Sequence, residues 1–190
     1  MSAGHGPAHH DEGSKKIGLL IAILALVLAF SETLGKGAQT QALSLNIEAS
    51  NLWAFFQAKT VRLTTVKTAA EAAALELART ADPKARDLIE KQIADWRKDA
   101  ERYDSEPKTN EGRKELVARA TAAEQRRDRS LAAYHHYETA SGAVQIAIVL
   151  ASAAIITGLN VLVWVAGALG AAGVAFSLIG FFWPTAVHLF

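Results

Sequence analysis

The sequence predicts an all-α membrane protein, with three transmembrane helices carrying a helical, coiled-coil-like extramembrane domain. Three observations predict it. Of the 20 Lys and Arg and 19 Asp and Glu residues, four precede Glu32 and none follows Glu138, so charge is confined to the middle of the chain. Apolar blocks flank that middle on both sides, and the block after Glu138 is too long for a soluble core. Between them, apolar residues recur at alternating spacings of four and three, the spacing of a helix seam.

The elements follow in chain order. Residues 1–16 read as a disordered tail. The first span, 17–34, contains "IGLLIAILALVLAF", with Lys15 and Lys16 before it. Its fourteen apolar residues rise about 21 Å, short of a bilayer core of about 30 Å, and snorkelling lysines with Thr33 and Leu34 extend it. The same block suits a cleaved secretory signal, with Ala29-Phe30-Ser31 as the cleavage triplet; an uncleaved anchor is the reading adopted. The second apolar block divides at "TGLN", 157–160, where Gly and Asn suit a turn. Spans at 141–158 and 161–183 result, with Trp164 and Trp183 as interfacial anchors and a tail at 184–190.

Small residues form stripes in each span: Gly18, Ala22, Ala25 and Ala29; Ala147, Ala151, Ala154 and Gly158; Ala166, Gly170, Gly173, Ser177 and Gly180. Such stripes let membrane helices approach closely. In the last span, glycine recurs despite a helix cost of about 1 kcal/mol, which points to packing through Gly170, Gly173, Ser177 and Gly180.

The extramembrane domain, 38–140, resolves into helices at about 38–80, 83–104 and 110–140. The first carries the seam Leu45, Ala49, Leu52, Phe56, Lys59, Leu63, Val66, Ala70, Ala73 and Leu77. Asp82-Pro83 provides an N-cap and a proline at the first helical position. "SEPKTNEG", 105–112, breaks the chain before the third helix, which runs on into the second span. Three vertical helices cannot return a chain to the membrane it left, so the middle one folds across or down against the others.

Trp53, Phe55 and Phe56 spread over about 160° of the helical wheel around Leu52, wider than a seam meeting one partner. Lys59 interrupts this face, where an unpaired ammonium is costly. Glu48 lies about three turns from Lys59 and is placed to meet Lys59 of an adjacent subunit. Glu48, Leu52, Trp53, Phe55, Phe56, Lys59 and Leu63 are therefore the candidate oligomer or helix-packing interface. Within the membrane, Glu32, Gln145 and Asn160 are the candidate polar residues, because an ionisable group at that depth is a functional hypothesis by default.

"IEASNLWAFFQAKTVR" resembles the central signature of a bacterial membrane protein family, domain of unknown function 4337. "AVQIAIVLASAAIITGLNVLVWVAGALGAAGVAFSLIGFF" resembles its paired C-terminal spans. The resemblance implies a multi-pass inner-membrane protein with a helical extramembrane domain and no assigned activity. The family pattern places basic residues in the turn between the last two spans, and "TGLN" has none. Orientation then rests on Lys15 and Lys16, which favour a cytoplasmic N-terminus and a periplasmic helical domain.

Chemistry is sparse. Cysteine is absent. His5, His9 and His10 belong to the tail, and His135-His136 read as interfacial anchors rather than a metal site, since adjacent helical residues point about 100° apart. No phosphate loop, paired-histidine helix or nucleophile constellation occurs, so no enzyme activity and no cofactor are expected. Basic residues alternate with acidic ones, which argues against nucleic acid. The expected partners are membrane lipid, further copies of the chain as a homo-oligomer, and an unidentified protein. The expected function is a non-enzymatic, self-associating scaffold; the alternative is an oligomeric channel or transporter component with a polar path through Glu32 and Gln145.

Overall fold

A computed structural model describes residues 9–187 of the chain, with side chains described from residue 13. The described residues form four helices: α1 (His9–Arg79), α2 (Pro83–Asp104), α3 (Arg113–Thr157) and α4 (Asn160–Phe182). Prolines mark several of the boundaries. Pro83 opens α2, Pro107 lies in the break before α3, and Pro184 follows α4, each lacking an N–H that a helix interior would need. The turn between α3 and α4 needs no proline: Gly158 adopts φ +71 there, the left-handed conformation that ends helices. α1, α3 and α4 are each long and apolar enough to cross a membrane.

Several expected boundaries are corrected. The tail expected up to residue 16 is helical from His9. α1 also continues through residues 35–37, where the first span and the next helix were expected to separate. Gly35 and Gly37 together cost about 2 kcal/mol against alanine, which good helix formers on both sides offset. α3 starts at Arg113 rather than at residue 110, because Asn110 has φ 56 and belongs to the preceding turn.

The chain divides into two compact units. In the unit formed by Met1–Leu43 and Arg127–Phe190, Leu24 packs with Val144, Ala147, Ala151 and Ala166. α1 and α4 run parallel: Leu24 meets Gly170, and the Ser31 and Ser177 hydroxyls are 2.8 Å apart. α3 runs antiparallel to α1, with Tyr137 against Gly35. The stripe Gly18, Ala22, Ala25 and Ala29, whose spacing fits packing and plain alanine abundance equally, is exposed. The inward face of α1 is made of larger side chains around Leu24, because Gly170 and Ala147 supply the room on the opposing helices.

In the unit Ser44–Arg126, α1 is the outgoing limb. Ala49 and Leu52 pack on Leu116, Ala120 and Ala123 of α3. Further along α1, Val66, Ala70 and Ala74 face Trp96 and Ala100 of α2, and Arg86 donates to the Leu77 and Thr80 carbonyls. α2 and α3 thus lie end to end along the same side of α1, both antiparallel to it. The difficulty of three vertical helices disappears, since the return path is one limb interrupted by residues 105–112.

Candidate functional site

The seam residues Leu45, Ala49, Leu52, Lys59, Leu63 and Ala70 are all buried. Lys59 is 6% exposed and lies opposite the break in the return limb. Its Nζ sits 5.4 Å from the Phe55 ring and 5.6 Å from the Tyr103 ring, within range of cation–π attraction. Glu106 and Glu111 approach the ammonium at 3.8 and 3.9 Å. Tyr103 belongs to the last turn of α2, so the charge also lies at the negative end of that helix dipole.

The three aromatics are met by α3 and by one another. Trp53 Nε1 donates to Glu124 at 2.9 Å, and its ring meets Phe56 edge-on at 5.6 Å. The Arg113 guanidinium covers Phe56 at 5.1 Å, and its Nε donates to the Thr60 hydroxyl at 2.9 Å. A face wider than one partner covers is met by α3 and by residues 103–113.

Glu48 and Lys59, expected to pair between subunits, each have partners within the chain. Glu48 receives Arg126 at 3.2 Å, and Lys59 has Glu106 and Glu111. The antiparallel return of α3 brings Arg126 beside Glu48, and the break delivers the carboxylates that Lys59 needs. Tyr103 falls on the apolar stripe of the middle helix, whereas sequence reasoning missed Glu106, Glu111, Arg113, Glu124 and Arg126. The apolar spacing of Leu116, Ala120 and Ala123 against Leu52 and Ala49 would have set the register that aligns Arg126 with Glu48.

Polar bonds within the first turn of α3 hold the break closed. Glu115 accepts from the Ser105 hydroxyl at 2.7 Å and the Glu106 N–H at 3.0 Å. These bonds hold its carboxyl below the ordinary value of 4.5. Asp104 is likewise held low, chiefly by its hydrogen bond from Lys114 at 2.8 Å. A Cβ on Gly112 would collide with the Ser105 and Glu106 backbone and the Glu115 carboxylate, so this position excludes larger residues.

In the other unit, Gly170, Gly173 and Gly180 are buried, and Ser177 donates to the Gly173 carbonyl at 3.0 Å. A Cβ on Gly173 would strike Val144, and one on Gly180 would lie 2.9 Å from the His136 Cβ. His136 is corrected from interfacial anchor to interior residue. It is 1% exposed, its Nε2 lies 3.1 Å from the Pro184 carbonyl, and its ring stacks on Phe176 at 6.3 Å. The small surface of Gly180 is what admits it. Gln145 donates to Glu32 at 3.3 Å. Asn160 opens α4 fifteen residues beyond Gln145, a separation of roughly 22 Å at helical rise, so it joins no cluster with them. His5 lies outside the described residues, as do the side chains of His9 and His10.

No curated protein and no solved structure matches the chain. A family model described as a domain of unknown function, DUF4337, matches residues 13–183, and the chain therefore belongs to that family.

Proposed function

We propose that the protein is a non-enzymatic, self-associating membrane scaffold, whose copies pair through the outer face of α1. The observation that carries this reading is an exposed stripe at strict seven-residue spacing: Ile47, Ala54, Val61, Thr68 and Leu75. Ile47, Val61 and Leu75 are 53%, 65% and 65% exposed, on a helix whose other side is already covered by α2 and α3. A unit only two helices thick buries one stripe, and an exposed row with three large apolar residues outside it is a place for a second helix to lie.

A second copy fits this stripe through two-fold pairing centred on Val61. Ile47 then faces Leu75, and Ala54 faces Thr68. Among flanking charges, Glu48 lies level with Ala74 and Glu71 with Asn51, while the two copies of Arg62 lie on the same side of the axis and must splay into solvent. The interface assigned from sequence to Trp53 through Lys59 thus moves to the opposite side of the same helix.

Because the chain has no cysteine, Val61→Cys introduces a single thiol. The expected result is a disulfide dimer on mild oxidation in detergent, with Val61→Glu giving a monomer by light scattering. A monomeric wild type, or a Val61→Cys chain that does not cross-link, would sink the pairing.

A further inference from the structure

Where the first apolar block of α1 ends and the apolar part of α3 begins, a cleft of about 270 Å³ opens between the two helices. Glu32, Gly35 and Lys36 line it from α1, and Tyr134, Tyr137 and Glu138 from α3. Spacings of three and four place each set on one helix face. A Cβ on Gly35 would lie 3.3 Å from the Tyr137 Cβ, so any side chain there would crowd the tyrosine. The volume is that of roughly nine waters at about 30 Å³ each, enough for a small polar group.

Charge and hydrogen-bonding capacity narrow the ligand. Lys36 takes part in no ion pair among the described residues, which leaves its three N–H donors to an oxyanion. Glu138 accepts the Tyr134 hydroxyl at 3.2 Å and lies 3.8 Å from His135 Nδ1, while Glu32 accepts Gln145 at 3.3 Å. Each carboxylate has about four lone-pair sites, so both can accept further donors. Two carboxylates beside two aromatic rings suit an ammonium. A wholly anionic group would meet two negative charges for one positive, and a quaternary amine has no N–H to give the carboxylates. The complement is a phosphoester bearing a primary amine.

We propose that this cleft binds the phosphoethanolamine head group of a membrane phospholipid, the phosphate on Lys36 and the ammonium between Glu32 and Glu138. Free phosphoethanolamine shares the chemistry. The lipid is the occupant because the cleft lies at the ends of apolar blocks, the depth where tyrosines and head groups meet. This inference rests on the membrane-spanning reading of those blocks.

The test is binding to the purified full-length chain in neutral detergent, by native mass spectrometry and thermal unfolding. The probes are phosphatidylethanolamine, phosphatidylcholine and phosphatidylglycerol of matched acyl chains, and free phosphoethanolamine. Phosphatidylethanolamine should bind about tenfold more tightly than the other two lipids, and Lys36→Ala should weaken it about tenfold, as expected for one charge-assisted hydrogen bond. Glu138→Gln should bring the ethanolamine and choline lipids to equal affinity, with helical circular dichroism unchanged in both variants. Equal or tighter binding of phosphatidylglycerol, or a preference that survives both substitutions, would overturn the site. Equally tight binding of free phosphoethanolamine would overturn the lipid assignment. Alkaline-carbonate extraction of membranes separates the two ideas: a chain that stays in the pellet yet lacks the preference removes the cleft alone, whereas a released chain removes both.

Discussion

Lys59 shows how a buried charge is tolerated where a helix limb is interrupted. Its methylene stem fills the seam, while its ammonium reaches two rings and two carboxylates at about 3.8 to 3.9 Å. Those ion pairs are long, and desolvation offsets much of their attraction. The packing of the stem therefore matters more than the charge. Lys59→Met should change stability by less than about 1 kcal/mol, whereas Lys59→Ala should lose about 2 to 3 kcal/mol through the cavity it leaves. Chemical denaturation in detergent followed by tryptophan fluorescence measures both; equal losses would show that the charge dominates. The position of Lys59 in an apolar seam was legible from spacing alone. Its partners were not, because Glu106 and Glu111 lie in a segment shaped by Asn110 at φ 56 and by the close approach at Gly112, which depend on tertiary contacts.

Among the elements, close packing of α4 against α1 and α3 turns on which atom faces each glycine. At Gly170 an added Cβ meets the tip of Leu24, which can rotate away. At Gly173 it meets the β-branched Val144 and, at 3.1 Å, the Ala140 carbonyl, neither of which yields cheaply. Gly173→Ala should therefore lower stability by about 1 to 3 kcal/mol, and Gly170→Ala by less. Thermal unfolding of the two variants in one detergent is the measurement, and the reverse order would refute the packing argument. The glycine stripe of α4 was readable because glycine is costly in a helix and needs a reason to recur. The alanines of the first span gave no such signal: alanine is the best helix former, so its spacing reports propensity as readily as contact, and Gly18, Ala22, Ala25 and Ala29 are exposed. The start of α2 was legible because Asp82 and Pro83 specify it locally, with the Asp82 carboxylate accepting from Lys84 N–H. The continuity of α1 through Gly35 and Gly37 was not, since neither glycine stops a helix by itself.

For the whole molecule, three helices able to cross a membrane place the two termini on opposite sides if all three do so. The orientation expected from Lys15 and Lys16 predicts a C-terminus in the periplasm. Alkaline phosphatase fused after Phe190 should be active and a fluorescent protein fused there dark; the opposite pattern would invert the orientation. The path of the chain was constrained from sequence by the need to return to the membrane. The solution was hidden because end-to-end alignment of α2 and α3 leaves no mark in either helix's own periodicity, only in the shared partner.

That alignment gives the hairpin a property of a ruler. Both return helices follow α1 in one register, and the interruption opposite Lys59 separates the part that pairs with α3 from the part that pairs with α2. Seven residues inserted into α1 beyond Leu63, matched by seven in α2, would extend the distal hairpin by about 10 Å while leaving the Lys59 contacts and the α3 register in place. Reach is thereby separable from anchoring, and a lineage could lengthen one without rebuilding the other.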